Sequence, residues 1–264
     1  MNIADKISVA TGNIPKVYRT GRVSVINPNS NWINWAEWAT KAQTTTLYDS
    51  LQYDDTKDVE NFNQMFVSYN GTVAKEIDTR NGKNFYQMFA LSNIVQPPVL
   101  NLSQGENFES MFFGCPNLER VPVLNTIKGK RFNSMFSCRN ICSSKLKTIE
   151  SICVDNAESL TNMLGGCYSL VEIRFEGVIP TDIDFSDCNK ISNESLLDAI
   201  SRLKFYGSST LYPEHHKKHT ITFPTGRWNE LALMLMPEIK DPDAVGINVG
   251  LVGEWFELNG WLVA

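Results

Sequence analysis

Three histidines, His215, His216 and His219, crowd into one short stretch, PEHHKKH at 213–219, and they are the only histidines in the chain. His215 and His219 are four apart, the spacing that brings two imidazoles to one side of a helix for a metal ion, and Glu214 would add an oxygen ligand. Against that chemistry, Pro213 lies just before the stretch and a strand-like run just after it, which favours a loop. Lys217 and Lys218 also bring positive charge to the place a cation would occupy. A solvated surface loop is the reading, and no metal or cofactor is expected. Six cysteines could make three disulfides, but their spacing argues for another role. Cys115 and Cys167 each fall four residues after a recurring methionine and Cys138 three after one, so they recur at equivalent places, as small apolar fillers do. With Cys142, Cys153 and Cys188 they are expected to be reduced. Carboxylates such as Glu106, Glu109 and Glu119 are scattered, with no sign of the paired acids of a glycan-cleaving site. There is no G-x-S-x-G elbow, and Gly165-Gly166 has no Lys-Ser or Lys-Thr partner of a phosphate loop. No catalytic set is assembled, so an enzyme is not expected.

The elements that would have to position these groups are dominated by a repeat. Nearly one hexapeptide is written five times: NFNQMF at 61–66, NFYQMF at 84–89, NFESMF at 107–112, RFNSMF at 131–136 and SLTNML at 159–164. Its methionines, at 65, 88, 111, 135 and 163, advance in steps of 23, 23, 24 and 28 residues. A nearly constant step of this size marks a solenoid, whose units are too small to bury an apolar face alone and must stack. After the hexapeptides come short apolar runs, at 117–124 and 169–175 for example, too short for helices and read as strands. Equivalent strands of successive turns would lie side by side in a parallel sheet about 4.8 Å apart, with aromatic and thioether ladders behind it.

The expected repeat core is therefore Phe62, Met65, Phe66, Phe85, Met88, Phe89, Phe108, Met111, Phe112, Phe132, Met135, Phe136, Leu160, Met163 and Leu164. Each such side chain should contribute about 1.5–3 kcal/mol by burial, which makes these positions a matter of stability. The residue opening each hexapeptide, usually Asn, together with the polar residues two and three places after it, is expected to satisfy backbone groups at the corner between turns, because the Asn amide both donates and accepts and Asn tolerates left-handed backbone.

The alternation of N-F-x-x-M-F with G-C-x-x-L, as in MFFGCPNL at 111–118 and MLGGCYSL at 163–170, resembles the BspA-like leucine-rich repeats of bacterial surface proteins and of their relatives encoded by bacteriophages. NIPKVYRTG at 13–21 is similar to the opening of phage-encoded members, and ISNES at 191–195 with GWLVA at 260–264 to their closing unit. Two departures stand out: VSYNG at 67–71 replaces the G-C-x-x-L signature, and Leu160 and Leu164 replace both phenylalanines of the fifth repeat. Terminal repeats are commonly atypical, since one face meets a cap.

The resemblance implies an α/β fold: a leucine-rich-repeat solenoid with a parallel β-sheet at 59–190, an N-terminal capping and attachment region at 1–58, and a C-terminal α/β cap at 191–264. It implies a non-enzymatic structural or binding protein of a tailed bacteriophage virion, in the tail, baseplate or fibre, with host-receptor recognition as one role. A head-decorating protein and a bacterial surface adhesin of BspA type are the alternatives. The partners implied are other virion proteins, a host surface glycan or protein, and further copies of the chain.

Composition allows a sizeable buried core. The chain has 264 residues, 42% of them apolar, and a net charge of −5 gives no basic footprint for nucleic acid. No stretch approaches the roughly 20 apolar residues that cross a bilayer. No apolar segment follows Met1, so an export signal is not expected, which favours synthesis in a host cytoplasm and a place in the virion over an adhesin.

At the two ends, the sequence predicts strand-like alternation over 18–26 and a helix over 31–41 that carries Trp32, Trp35 and Trp38 on one side. These tryptophans can close the core over the first turn, stack on sugars or form a protein interface. Beyond 190, helices are predicted near 194–205, 228–236 and 251–258, with Ser192 or Asn193 as the first N-cap, and strands at 219–223 and 261–263.

Overall fold

The computed structural model describes residues 56–72, 76–204, 218–235, 249–258 and 260–264, together with the backbone of 18–19 and 23–24. The tryptophan-bearing helix predicted at 31–41 and the residues His215 and His216 lie outside the described residues. Within them the chain is a mixed α/β protein with open sheets, two of the three parallel. β1 (Tyr18–Arg19) and β2 (Val23–Ser24) pair antiparallel within the stretch expected to be extended. β3 (Arg120–Val121), β4 (Thr148–Cys153) and β5 (Glu172–Glu176) form one parallel sheet in that order. β6 (Ile183–Asp184), β7 (His219–Thr222) and β8 (Trp261–Val263) form the other.

The hexapeptides lie one above the next. Parallel bridges join Asn61 to Asn84, Asn84 to Asn107, Asn107 to Arg131 and Arg131 to Ser159. Within each, alternate N–H groups donate to carbonyls one repeat further on: Phe62 to Asn84 at 2.8 Å, Gln64 to Tyr86 at 2.9 Å and Phe66 to Met88 at 2.7 Å. The same three bonds recur from Phe85, Gln87 and Phe89, from Phe108, Ser110 and Phe112, and from Phe132, Ser134 and Phe136. This stacking satisfies buried backbone that no helix or regular strand provides for.

Spacing of the apolar residues at positions two, five and six of the hexapeptide would suit a helical face. The backbone reaches it by a turn instead. Met65 N–H donates to Phe62 O at 3.2 Å, closing a turn whose third residue, Gln64, has φ 56°. Gln87, Ser110, Ser134 and Asn162 repeat that left-handed backbone at φ 51°, 56°, 54° and 55°. Among the three polar positions expected to form the corner, the left-handed backbone falls on the third rather than on the leading asparagine. The asparagines do serve the corner: the Oδ1 atoms of Asn61, Asn84 and Asn107 accept the N–H two residues on, each at 3.1 Å.

Two aromatic columns follow. Phe62, Phe85, Phe108 and Phe132 have successive centroids 5.3, 5.5 and 5.4 Å apart, and Phe66, Phe89, Phe112 and Phe136 are 5.3, 5.6 and 5.7 Å apart. Leu160 and Leu164 stand at the corresponding positions of the fifth hexapeptide. In three of the four phenylalanine repeats a glycine three residues before the first ring makes room for it, whereas Val59 stands there before Phe62. A Cβ at Gly82, Gly105 or Gly129 would lie 2.3 Å from Cζ of Phe85, Phe108 or Phe132 respectively. At the equivalent place before Leu160 the chain carries Ala157, a side chain that the smaller leucine tolerates.

The sheet behind the hexapeptides is less complete than expected. Among the described residues from 56 onward, regular strands form only from β3, and the stretch at 117–124 contributes two strand residues, Arg120–Val121. The last repeat strand is closed by a helix. α1 (Asn193–Ser201) starts from Ser192, whose hydroxyl accepts Ser195 N–H, the N-cap expected. From α1, buried Ser195 Oγ accepts Ile173 N–H at 3.1 Å and Asp198 Oδ2 accepts Phe175 N–H at 3.3 Å, so side chains cover the free edge of β5. α2 (Arg227–Leu235) and α3 (Val249–Leu258) pack with the second sheet around Leu231, Val252, Phe256 and fully buried Trp261. The predicted terminal helices and strands lie within a few residues of these.

Candidate functional surface

All fifteen expected core residues are buried: the phenylalanines, methionines and leucines of the five hexapeptides expose 2% or less. They are brought together as one continuous interior, where they offer nothing to a ligand. Trp32, Trp35 and Trp38 lie outside the described residues. Of the histidine group, His219 is described, and it is not in a solvated loop: it begins β7 with a side chain only 12% exposed. Its Nδ1 is 3.4 Å from Asp182 Oδ1, and its ring lies against Trp261 with centroids 5.5 Å apart. Among the described residues no group of three or more His, Cys, Asp or Glu side chains is placed to hold a metal ion, and no helix is long and apolar enough to cross a membrane.

The thiols form a buried column of their own. Cys115 Sγ donates to Phe89 O at 3.1 Å and meets Ser92 Oγ at 3.4 Å, and Cys167 Sγ donates to Phe136 O at 3.4 Å. All six cysteines are free. Burial pushes Cys115 up to about 11 and Cys188 up to about 12. It raises Cys138, Cys153 and Cys167 as well, for Cys138 with help from its neighbour Cys142. Thiols held neutral in this way are fillers, as the spacing suggested. Cys142 departs from the set: it is half-buried.

What faces water changes from turn to turn. The residue before each hexapeptide reads Glu60, Lys83, Glu106, Lys130 and Glu158, an alternation of sign along one edge. Lys83 Nζ lies 2.8 Å from Glu60 Oε1 and Lys130 Nζ 2.9 Å from Glu106 Oε2. The hydrogen bond and charge of Lys130 hold the Glu106 carboxyl below its ordinary range. On another side, Asp187 Oδ2 accepts Gly166 N–H at 2.7 Å and Arg139 Nε–H at 2.8 Å, tying residues 48 positions apart. Burial would raise the Asp187 carboxyl, but the bonds from Arg139 and Gly166 outweigh it and the net shift is downward.

Exposed apolar side chains add to this surface, notably Val99 at 72% and Val123 at 56%. In the C-terminal unit a cleft of about 290 Å³ is lined by Trp228, Gly253, Glu257 and residues 261–264. Its one titratable side chain, Glu257, is engaged by Lys218 at 2.6 Å. Comparison with protein-family models, with curated proteins and with solved structures finds no match for this chain.

Two features escaped the sequence reading. The left-handed column at Gln64, Gln87, Ser110, Ser134 and Asn162 carries no glycine signal. The glycines at 82, 105 and 129 were visible as a repeat three residues before Phe85, Phe108 and Phe132, and that spacing could have disclosed the close approach.

Proposed function

We propose that residues 59–190 form a leucine-rich-repeat solenoid and that the chain is a non-enzymatic structural and binding component of a tailed bacteriophage virion, on its tail, baseplate or fibre. The observation that carries the reading is a division of labour between columns. Inward columns keep one residue type from turn to turn, as in Phe62, Phe85, Phe108 and Phe132. Outward columns change, as in Glu60, Lys83, Glu106, Lys130 and Glu158, or Asn63, Tyr86, Glu109, Asn133 and Thr161. A constant interior holds the shape while the variable exterior is available for recognition, which is how stacked repeats present an extended binding face. The resemblance of the G-C-x-x-L and N-F-x-x-M-F pattern to phage-encoded repeat proteins supplies the virion context, and it is an argument by likeness.

The test is electron microscopy of purified particles released from cells that carry this coding sequence, with gold-labelled antibody against the chain. Label on the tail or baseplate is the expected result. Label on the head would move the chain to a decorating role, and label on the bacterial envelope with none on particles would replace the virion reading with a surface adhesin.

A further inference from the structure

The half-buried thiol lies against a member of the column. Cys142 Sγ is 2.6 Å from Cys138 Sγ, only about 0.6 Å beyond the length of a disulfide bond. A tight turn sets the pair: Cys142 N–H donates to Cys138 O at 3.2 Å and Ile141 N–H to the same oxygen at 3.1 Å, with Asn140 left-handed at φ 61°. The turn is anchored on its other side by Arg139, whose guanidinium binds Asp187. The turn thus already brings the two sulfurs close to bonding distance.

We propose that Cys138 and Cys142 are a modification site, a dithiol that closes to an intrachain disulfide on meeting a small-molecule disulfide such as oxidised glutathione. Cys142, the more exposed of the two, attacks as its thiolate, forming a bond to one glutathione sulfur and expelling the other glutathione as thiolate. Cys138 then gives its proton to the glutathione thiolate released in the first step as its sulfur attacks the Cys142 sulfur of the mixed disulfide, and the second glutathione leaves as thiolate and takes up a proton from water. Two electrons pass from the cysteine pair to the glutathione disulfide, and the two cysteine protons end on the two released glutathiones. The bridge fixes the turn that presents Ile141, 53% exposed, on the surface.

Arg139 lies between the two cysteines, so trypsin separates them into peptides 132–139 and 140–145 unless a bond joins them. The full chain, exposed to oxidised glutathione and then blocked with a thiol alkylator before digestion, should yield these two peptides linked. Intact-mass measurement should show a loss of about 2 Da with no retained glutathione. Cys142→Ser should abolish the linked pair, whereas Cys138→Ser should trap glutathione on Cys142. Full alkylation of both cysteines, a stable glutathione adduct on the unsubstituted chain, or a link from Cys142 to Cys115 would each overturn the proposal.

Discussion

The ring of Phe112 lies 3° from parallel to that of Phe136, one turn further on, with centroids 5.7 Å apart. It also stacks on Phe89 at 5.6 Å, so one side chain links three successive hexapeptides. Phe112→Ala should cost about 3–5 kcal/mol, because a cavity in the middle of the column cannot collapse without moving both neighbours. Val99→Ala, at a side chain 72% exposed, should change stability by less than about 0.5 kcal/mol. Urea denaturation of both variants checks this; equal losses would mean the columns are not the core.

The glycine and the ring that covers it should behave as a pair. A Cβ at Gly105 would lie 2.3 Å from Cζ of Phe108 and 3.0 Å from Cε2 of Phe85. Gly105→Ala should therefore destabilise by roughly 1–3 kcal/mol through overpacking. Adding Phe108→Leu reproduces the Ala157 and Leu160 pairing already present in the fifth repeat, and the double variant should lose less than the two single losses combined. A double-mutant cycle measures the coupling, expected to exceed about 1 kcal/mol; strict additivity would refute the contact.

Alkaline pH should loosen the thiol column. Cys115 rises from an ordinary 9.0 to about 11 and Cys188 to about 12 in the folded chain, because burial disfavours the thiolate. Below the unfolded value both states keep the proton and the stabilisation is whole. Above it the unfolded chain releases protons first, so stability falls as pH rises through the folded values, by roughly 1.4 kcal/mol per pH unit per thiol at most. The urea midpoint should drop between about pH 9 and about pH 11, and Cys115→Ala should make the drop shallower. A slope unchanged by that substitution would count against a neutral buried Cys115.

The alternating edge should be sensitive to sign and salt. Lys130 lies between Glu106 and Glu158 in the column and pairs with Glu106 at 2.9 Å. Lys130→Glu makes three successive acidic positions, and the melting temperature should fall at low salt. Because these groups are exposed, with the Lys130 side chain at 48%, screening over about 10 Å at 0.1 M salt should shrink the difference. A salt-independent loss would point to packing of the lysine stem instead.

Much of this was decided locally. The repetition of phenylalanine and methionine at a step near 23 residues determined that successive units stack and which fifteen side chains go inside, since an apolar face that small must be buried against a like neighbour. Ser192 announced α1, and strand and helix periodicity announced the closing elements, because caps and amphipathic spacing act within a few residues. Tertiary structure alone decided the rest. The left-handed backbone of Gln64 and its equivalents arises because hydrogen bonds to the next turn dictate the path, overriding the preferences of the residues themselves. His219 looked like part of a polar cluster, yet pairing of β7 between β6 and β8 buries it against Trp261, a neighbour 42 residues away. That Arg139 meets Asp187, 48 positions on, likewise follows from where the chain folds back, a relation between distant segments that no local pattern encodes.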